Sequence, residues 1–428
     1  MTEKRFALKG ICIYSKDREI LEIKDGYVLC ENGVSQGVFE ALPEADSDIK
    51  CYDFSGKLII PGLIDLHVHA PQYPIRGYGM DLELLAWLEK YIFPEEAKFS
   101  DLEYAEKVYG AFAEALLKSF TTRACVYGTI HTAAGLKLMD LLEETGLKTM
   151  VGKVNMNRNC PEALSEGEAS EALEDTEKWL KASEGKYRNT QPILTPRFIP
   201  SCTDALLYGL GRLKVRYGVP YQSHLSENPS EIEWVKRLCP DSENYADAYA
   251  RRGAFGPESK TVMAHCVYLN DEEIELLSEK EVFVAHCPES NINLASGIAP
   301  IRKYLSKGIH VGLGSDVAAG STLNLFVAMR SAVQASKLYW RLLHSDEVPI
   351  SMEEAFYLAT KGGGAFFGRV GSFEKGYRFD AVVIDDSRLA ADGTASQEMT
   401  VKERLERMMY LGDASCLASK FVDGILVR

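Results

Sequence analysis

Eight apolar runs of strand length recur between residues 63 and 316, each separated from the next by a longer stretch of helical character. They are Leu63–His69, Thr121–Tyr127, Thr149–Asn155, Ile193–Phe198, Val219–His224, Thr261–His265, Val282–His286 and Ile309–Asp316. Between them lie amphipathic segments such as 101–119, 165–182, 203–217, 229–238 and 271–280, with 321–343 after the last run. Strands that are apolar throughout, and that alternate with helices, belong to parallel sheets covered on both faces. Eight such units predict an α/β fold of the (β/α)8 TIM-like barrel class over residues 62–372. An open doubly wound sheet has the same alternation and is the alternative.

The two ends of the chain have a different texture. Residues 1–61 hold short strand-like runs with turn signals at Asp25-Gly26 and Asn32-Gly33, and 373–428 returns to short strands at Ala381–Asp385 and Phe421–Val427. The two ends are expected to pair into a small β-sandwich domain outside the barrel.

Lys and Arg total 48 against 62 for Asp and Glu, a net charge of -14. Phosphate backbones and anionic lipid bind through clustered cations, so neither nucleic acid nor a membrane surface is an expected partner. Ten cysteines are dispersed without a Cys-x-x-Cys pair, which reads as buried thiols in a reducing compartment. No signal-like or membrane-length apolar run is found, so a cytoplasmic location is expected.

The polar residues on the eight runs fall at their carboxyl ends. His67 and His69 end the first, Arg197 and Phe198 the fourth, His224 the fifth, His265 the sixth and Asp316 the eighth. In a barrel those ends form one rim, where active sites lie. His67 and His69 are two apart, so both imidazoles leave the same face of a strand. With His224, His265 and Asp316 at other ends, the set fits one divalent cation with a position left open for water. Core histidines satisfied by hydrogen bonds would have to place four imidazoles and a carboxylate on one rim by chance.

His224-Leu-Ser-Glu227 puts a carboxylate beside the cation but off its ligand sphere, where it could move protons. On spacing alone Glu227 could equally belong to the cap of a helix starting at Pro229, with Ser226 or Asn228 as cap. Lys153 lies inside the third run, but nothing beyond its residue type suggests a carbamylated bridge between two metals. His310 and His344 read as structural and exposed respectively. His131 and His286 lie near strand ends, where flanking and core roles are equally open. Gly362–Gly368 lacks the Gly-Lys-Ser/Thr ending of a phosphate loop and reads as close helix packing.

Pro61-Gly-Leu-Ile-Asp-Leu-His-Val-His69 resembles the first barrel strand of the amidohydrolase superfamily. Within it, Ala70-Pro-Gln-Tyr73, Trp87–Pro94, Thr195-Pro-Arg-Phe198, Ser223–Asn228, Val262–His265, Ala285–Pro288 and Gly312–Val317 are similar to the guanine deaminases. The likeness runs from Ser55 to Asp413; Asn157–Pro161 and Ala318-Ala-Gly320 depart from the pattern. The resemblance implies that His67, His69, His224 and Asp316 hold one zinc ion, although imidazole and carboxylate suit iron and manganese as well. It also implies that Gln72, Arg197 and Phe198 hold a purine base, beside His224, Glu227 and Asp316, and that the protein is a homodimer. Glu227, Asp316 and His265 would be catalytic: Asp316 takes a proton from an activated water, Glu227 protonates a ring nitrogen, and His265 bonds the water or is a distant ligand. The implied reaction converts guanine to xanthine and ammonia. Related aminohydrolases acting on cytosine, an 8-oxopurine, a nucleoside or a triazine share the strand-end donors, and a non-catalytic barrel scaffold would share the fold. The other zinc deaminase fold needs His-x-Glu and Pro-Cys-x-x-Cys, which this sequence lacks.

Overall fold

The computed structural model describes residues 4–390 and 399–428; residues 1–3 and 391–398 of the two end segments lie outside that range. The chain opens with β1 (Arg5–Ser15), β2 (Leu21–Glu31), β3 (Val34–Phe39) and β4 (Lys50–Pro61). Asn32 and Gly33 both have positive φ, at 51° and 76°, the backbone of the tight hairpin turn expected between β2 and β3. Asp25-Gly26 is not a turn: both residues pair with β1 inside β2, opposite Ile11 and Gly10. Gly26 is needed there for another reason, since a Cβ would sit 2.1 Å from the Phe39 carbonyl oxygen.

The parallel strands follow. β5 (Leu63–His69), β6 (Thr121–Tyr127), β7 (Lys148–Gly152) and β9 (Thr190–Pro192) form one four-stranded sheet; β8 (Val154–Asn155) and β10 (Thr195–Pro196) form a short pair. β11 (Tyr221–Leu225), β12 (Thr261–His265), β13 (Phe283–His286) and β14 (Val311–Leu313) form a second four-stranded parallel sheet. The third and fourth runs are thus broken where single strands were expected. Pro192 and Pro196 have no N–H to give to a ladder, and Lys153 turns its buried ammonium onto Glu166. Hydrogen bonds join the sheets at both seams. Leu194 bridges to the start of β11 through Leu194 N–Pro220 O (2.9 Å) and Gln222 N–Leu194 O (2.9 Å). At the other seam Asp316 N donates to His67 O (2.8 Å) and His69 N to Val317 O (3.2 Å). The Gly362–Gly368 run packs here, as expected: a Cβ on Gly312 of β14 would sit 2.7 Å from Gly363 Cα.

β15 (Ala381–Ile384), β16 (Leu417–Val422) and β17 (Ile425–Leu426) return to the first sheet, giving the order β17-β16-β15-β4-β1-β2-β3. The run expected as one strand, Phe421–Val427, is a hairpin, because Asp423 (φ 46°) and Gly424 (φ 75°) turn the chain back. The sheet has its own core, in which Phe6 stacks on Phe421 (ring centroids 5.6 Å apart) and meets Phe379 edge-on. Among the described residues no helix is long and apolar enough to cross a membrane. All ten cysteines are unpaired.

Two buried charges fasten the end sheet to the parallel strands. Lys420 donates to the carbonyls of Leu116 (3.3 Å), Leu117 (2.8 Å) and Thr121 (2.9 Å), closing the carboxyl end of the helix Leu102–Lys118. Arg123, at the start of β6, is forked onto Asp380 (2.6 and 3.1 Å) and reaches Asp423 (2.7 Å), which also takes Arg378 and Lys148. Burial opposes ionisation of Asp423, but the Arg378 hydrogen bond and the charges of Arg123 and Lys148 prevail and hold its carboxyl below the usual range. A depressed folded-state pKa contributes stability above the unfolded value of about 3.9, and that stability is lost as pH falls below it. Asp423→Asn is therefore expected to lower Tm at neutral pH, at a cost on the order of 3 kcal/mol. In calorimetric scans its deficit against the wild type should narrow as pH falls through about 4; a deficit independent of pH would show that the ion cluster is not its source.

Candidate metal centre and active site

β5 is buried along its whole length; His67 and His69 bring their rings together, while a register shift between Asp65 and Val68 sets Asp65 apart from that alternation. His224 leaves β11, His265 ends β12, and Asp316 follows β14. Their donor atoms meet. His67 Nε2 lies 3.1 Å from His69 Nε2, which lies 3.3 Å from His224 Nε2. Asp316 Oδ1 is 3.3 Å from the first and 3.4 Å from the second. A tetrahedral site with bonds of about 2.0–2.1 Å separates its ligand atoms by about 3.3 Å, so these spacings are those of a cation's donor shell. His224 Nδ1 is 2.6 Å from the Arg197 carbonyl oxygen, which can only accept; Nδ1 therefore carries the proton, and the Nε2 lone pair faces the other donors.

Burial lowers the pKa of His67, His69 and His224, the last two well below the ordinary value with further help from neighbouring imidazoles. All three are held neutral, the form that ligates a metal. Burial works against ionisation of Asp316, yet the His67 and His265 imidazoles outweigh it and bring its carboxyl down to about 2. Three neutral nitrogen donors and one ionised oxygen donor suit a divalent ion. Among the described residues, the His, Cys, Asp and Glu groups dense enough to hold a metal both contain His67; one is His67, His69 and His224, the other His67, His265, Cys287 and Asp316.

Glu227 stands just outside that set. Asn228 caps the helix Pro229–Leu238 in a box with Glu231, which leaves the Glu227 side chain free to turn inward. It is 2% exposed, its Oε2 lies 3.3 Å from His265 Nε2, and its Oε1 accepts from Ser296 Oγ at 3.1 Å. Burial pushes its carboxyl up to about 7. The carboxylates of Glu227 and Asp316 raise the pKa of the His265 imidazole against its burial, and its Nδ1 is anchored on Asn291 at 2.9 Å. His265 (φ 70°) and Asp316 (φ 45°) both have left-handed backbones, uncommon outside glycine and concentrated at functional sites.

A cavity opens beside these groups. Gln72, Arg197, Phe198, His224, Glu227, His265 and Asp316, all singled out in the sequence, line it together with His69. His67 sits beneath, against the buried ring of Tyr127 (centroids 4.8 Å apart). His131 lies outside, at the cap of the helix Thr132–Thr145. His286 ends β13 fully buried, its imidazole pushed down to about 3 by burial and by the charge of His265. His310 stacks on Phe283, and His344 is exposed against Tyr339.

Several contributors escaped the sequence reading. Asp65 was hidden by an irregularity of β5 between it and Val68; its Oδ1 accepts from His67 N (3.2 Å) and Ser315 N (3.0 Å), its Oδ2 from Ser315 Oγ (2.5 Å). Glu96 bonds both Gln72 and Arg197 from a helix whose charged run reads as a surface. Leu84, Trp87 and Leu88 wall the cavity, and Glu231 reaches its edge while bonding Tyr245 and the backbone of Glu227.

Parallel strands carrying three histidines and an aspartate that converge at their carboxyl ends define an α/β protein of the TIM-barrel type with a cation-binding mouth. Residues 58–427 match the Amidohydrolase family. A guanine deaminase of Dictyostelium discoideum is 39% identical over 410 residues, covering 95% of this chain and 88% of that protein. A guanine deaminase of Escherichia coli (strain K12) is 35% identical over 421 residues, 95% and 91% of the two chains. The crystal structure of guanine deaminase from C. acetobutylicum with bound guanine in the active site superposes with a TM-score of 0.95 at 44% identity, covering 99% of this chain and 100% of that one. The chain belongs to the amidohydrolase family.

Because Asp65 holds the main chains of both His67 and Ser315, Asp65→Asn should loosen the donor set without emptying the core. Outer partners of this kind are worth about 10–100-fold in metal affinity. Metal content after graded chelator dialysis should fall by that margin, with the circular dichroism spectrum unchanged; undiminished retention of metal would refute the role given to Asp65.

Proposed function

We propose that this chain is a guanine deaminase, converting guanine and water to xanthine and ammonia. The observation that carries the reading is the near-complete superposition on a structure holding guanine in its active site. The architecture we assign is a closed (β/α)8 barrel over residues 62–372, supported by the hydrogen bonds at both seams. Residues 1–61 and 373–428 then make up a second domain, a sandwich; Phe6 of β1 stacking on Phe421 of β16, two strands away from adjacency, supports that folding-over.

His67, His69, His224 and Asp316 are the donors we assign to one zinc ion. When bound, such an ion acts as a Lewis acid that makes water a nucleophile near neutral pH. The remaining chemistry belongs to side chains. Arg197 has fixed charge and only donors, which suits the exocyclic oxygen of guanine, and Phe198, edge-on to Trp234, offers apolar surface to the flat base. Gln72 adds a polar contact from the other wall. Glu227, with a carboxyl near 7, can hold a proton at working pH and deliver it to the ring nitrogen beside the amino-bearing carbon, making that carbon electrophilic. Asp316 is ionised at rest, accepts a proton from the attacking water and passes it on to the leaving amine, while His265 orients that water. Attack gives a tetrahedral carbon bearing both OH and NH2; the proton from Asp316 goes to the amine, the C–N bond breaks to release ammonia, and the hydroxyl proton returns to Glu227 as the carbonyl forms. The acidic surface and unpaired cysteines agree with a cytoplasmic enzyme, and we assign it a homodimeric state.

The test is ammonia release from guanine by the metal-loaded protein, run beside cytosine, adenine and a triazine. Guanine should be the preferred substrate by a wide margin. Glu227→Gln should keep its metal yet lose turnover by about a hundredfold or more; a near-normal rate in that variant would remove Glu227 as the proton carrier.

A further inference from the structure

The helix Phe93–Ala97 presents two adjacent buried carboxylates that point in opposite directions. Glu95 turns away from the cavity, to Lys98 Nζ at 2.6 Å and the Tyr104 hydroxyl. Glu96, 1% exposed, turns toward it and divides its oxygens. Its Oε2 accepts from Arg197 Nη1 at 2.5 Å and its Oε1 from Gln72 Nε2 at 3.1 Å. The other end of the Gln72 amide is also fixed, because Oε1 accepts from Ala318 N at 3.2 Å. An amide can be flipped without changing its shape, but here one neighbour only accepts and the other only donates, so a single orientation satisfies both. The Arg197 guanidinium carbon also lies 5.3 Å from the centre of the Phe93 ring, at the start of the same short helix.

We propose that Glu96 is a positioning residue for recognition of the base, holding the Arg197 fork and the Gln72 amide in one donor–acceptor arrangement before substrate arrives. This rests on the guanine deaminase reading. Such preorganisation spares binding the cost of ordering two long side chains. It also keeps the buried guanidinium compensated, whereas an unpaired one would be costly. Glu96 lines neither the donor set nor the proton path, so its influence falls on binding of ground state and transition state alike. That pattern appears in KM and spares kcat.

The experiment compares Glu96→Gln, Glu96→Asp, Arg197→Met and the double variant Glu96→Gln/Arg197→Met, each checked for metal content and Tm. Glu96→Gln should raise KM for guanine about tenfold or more while kcat stays within about threefold. Glu96→Asp, which keeps the carboxylate, should recover most of that loss; it also carries the test if the Gln variant fails to fold. In the Arg197→Met background the Gln substitution should cost clearly less in kcat/KM than it does in the wild type, because one of the two groups it acts through is gone. An unchanged KM, a fall confined to kcat, or a full additive loss in the double variant would overturn the proposal. A wild type inactive on guanine would instead sink the substrate reading, and the same comparison would then be made on the amino-heterocycle it does turn over.

Discussion

One carboxylate at the seam between the first and last parallel strands holds the site in register. Asp65 receives the main-chain N–H of His67 and both the N–H and hydroxyl of Ser315, while Asp316 N donates to His67 O. The donor atoms of His67, His69 and Asp316 lie 3.1–3.4 Å apart, so an error of one residue in that pairing would turn the donors to the opposite face. Close approach is possible because residue 314 is glycine: a Cβ there would fall 2.8 Å from both His67 Cβ and Cys287 Sγ. The left-handed backbones of Asp316 and His265 are held by this same over-determined surrounding.

With the main chain fixed, burial alone would push every ionisable group in the cavity toward neutrality; neighbours decide which ones resist. Asp316 faces imidazoles and ionises easily, whereas Glu227 has His265 on one side but the carboxylates of Asp316 and Glu231 nearby, and its carboxyl rises to about 7. Two carboxylates in one pocket are thereby driven apart in acidity, the arrangement on which the roles we propose for Asp316 and Glu227 rest. His224 Nδ1 is committed to the Arg197 carbonyl, so its Nε2 lone pair faces His69. The Nε2 atoms of His67, His69 and His224 and the Asp316 carboxylate crowd one point, where a cation is the natural occupant.

The residues legible in the sequence were those tied to strand periodicity. His67, His69, His224, His265 and Asp316 each end an apolar run, and shared termination was enough to place them together. Periodicity does not expose Asp65, because β5 is irregular between it and Val68, and its hydrogen bonds to Ser315 span 250 residues with no local signature. Where the reading failed, the cause was a tertiary contact. Asp25-Gly26 has turn composition, but its glycine answers to the Phe39 carbonyl across the sheet. The third and fourth runs broke because prolines and a buried Lys153 interrupt ladders that hydropathy alone extends. Glu96 was hidden because Pro94-Glu95-Glu96 reads as the exposed first turn of a helix, and only the folded chain brings Gln72 and Arg197 to it.

Arg197 joins the two halves of the site, and it does so with different atoms. Its carbonyl oxygen fixes the tautomer of His224 at 2.6 Å, while its guanidinium is gripped by Glu96 at 2.5 Å. The first contact depends on the backbone that follows β10, anchored by Arg197 N on Asn155 O at 3.2 Å, and survives any side chain at this position. The second depends wholly on the side chain. In the function we propose, chemistry and recognition share a residue without sharing an interaction. The walls contributed by Gln72 and Phe198 can change while the donors at the strand ends stay where β5, β11 and β14 put them.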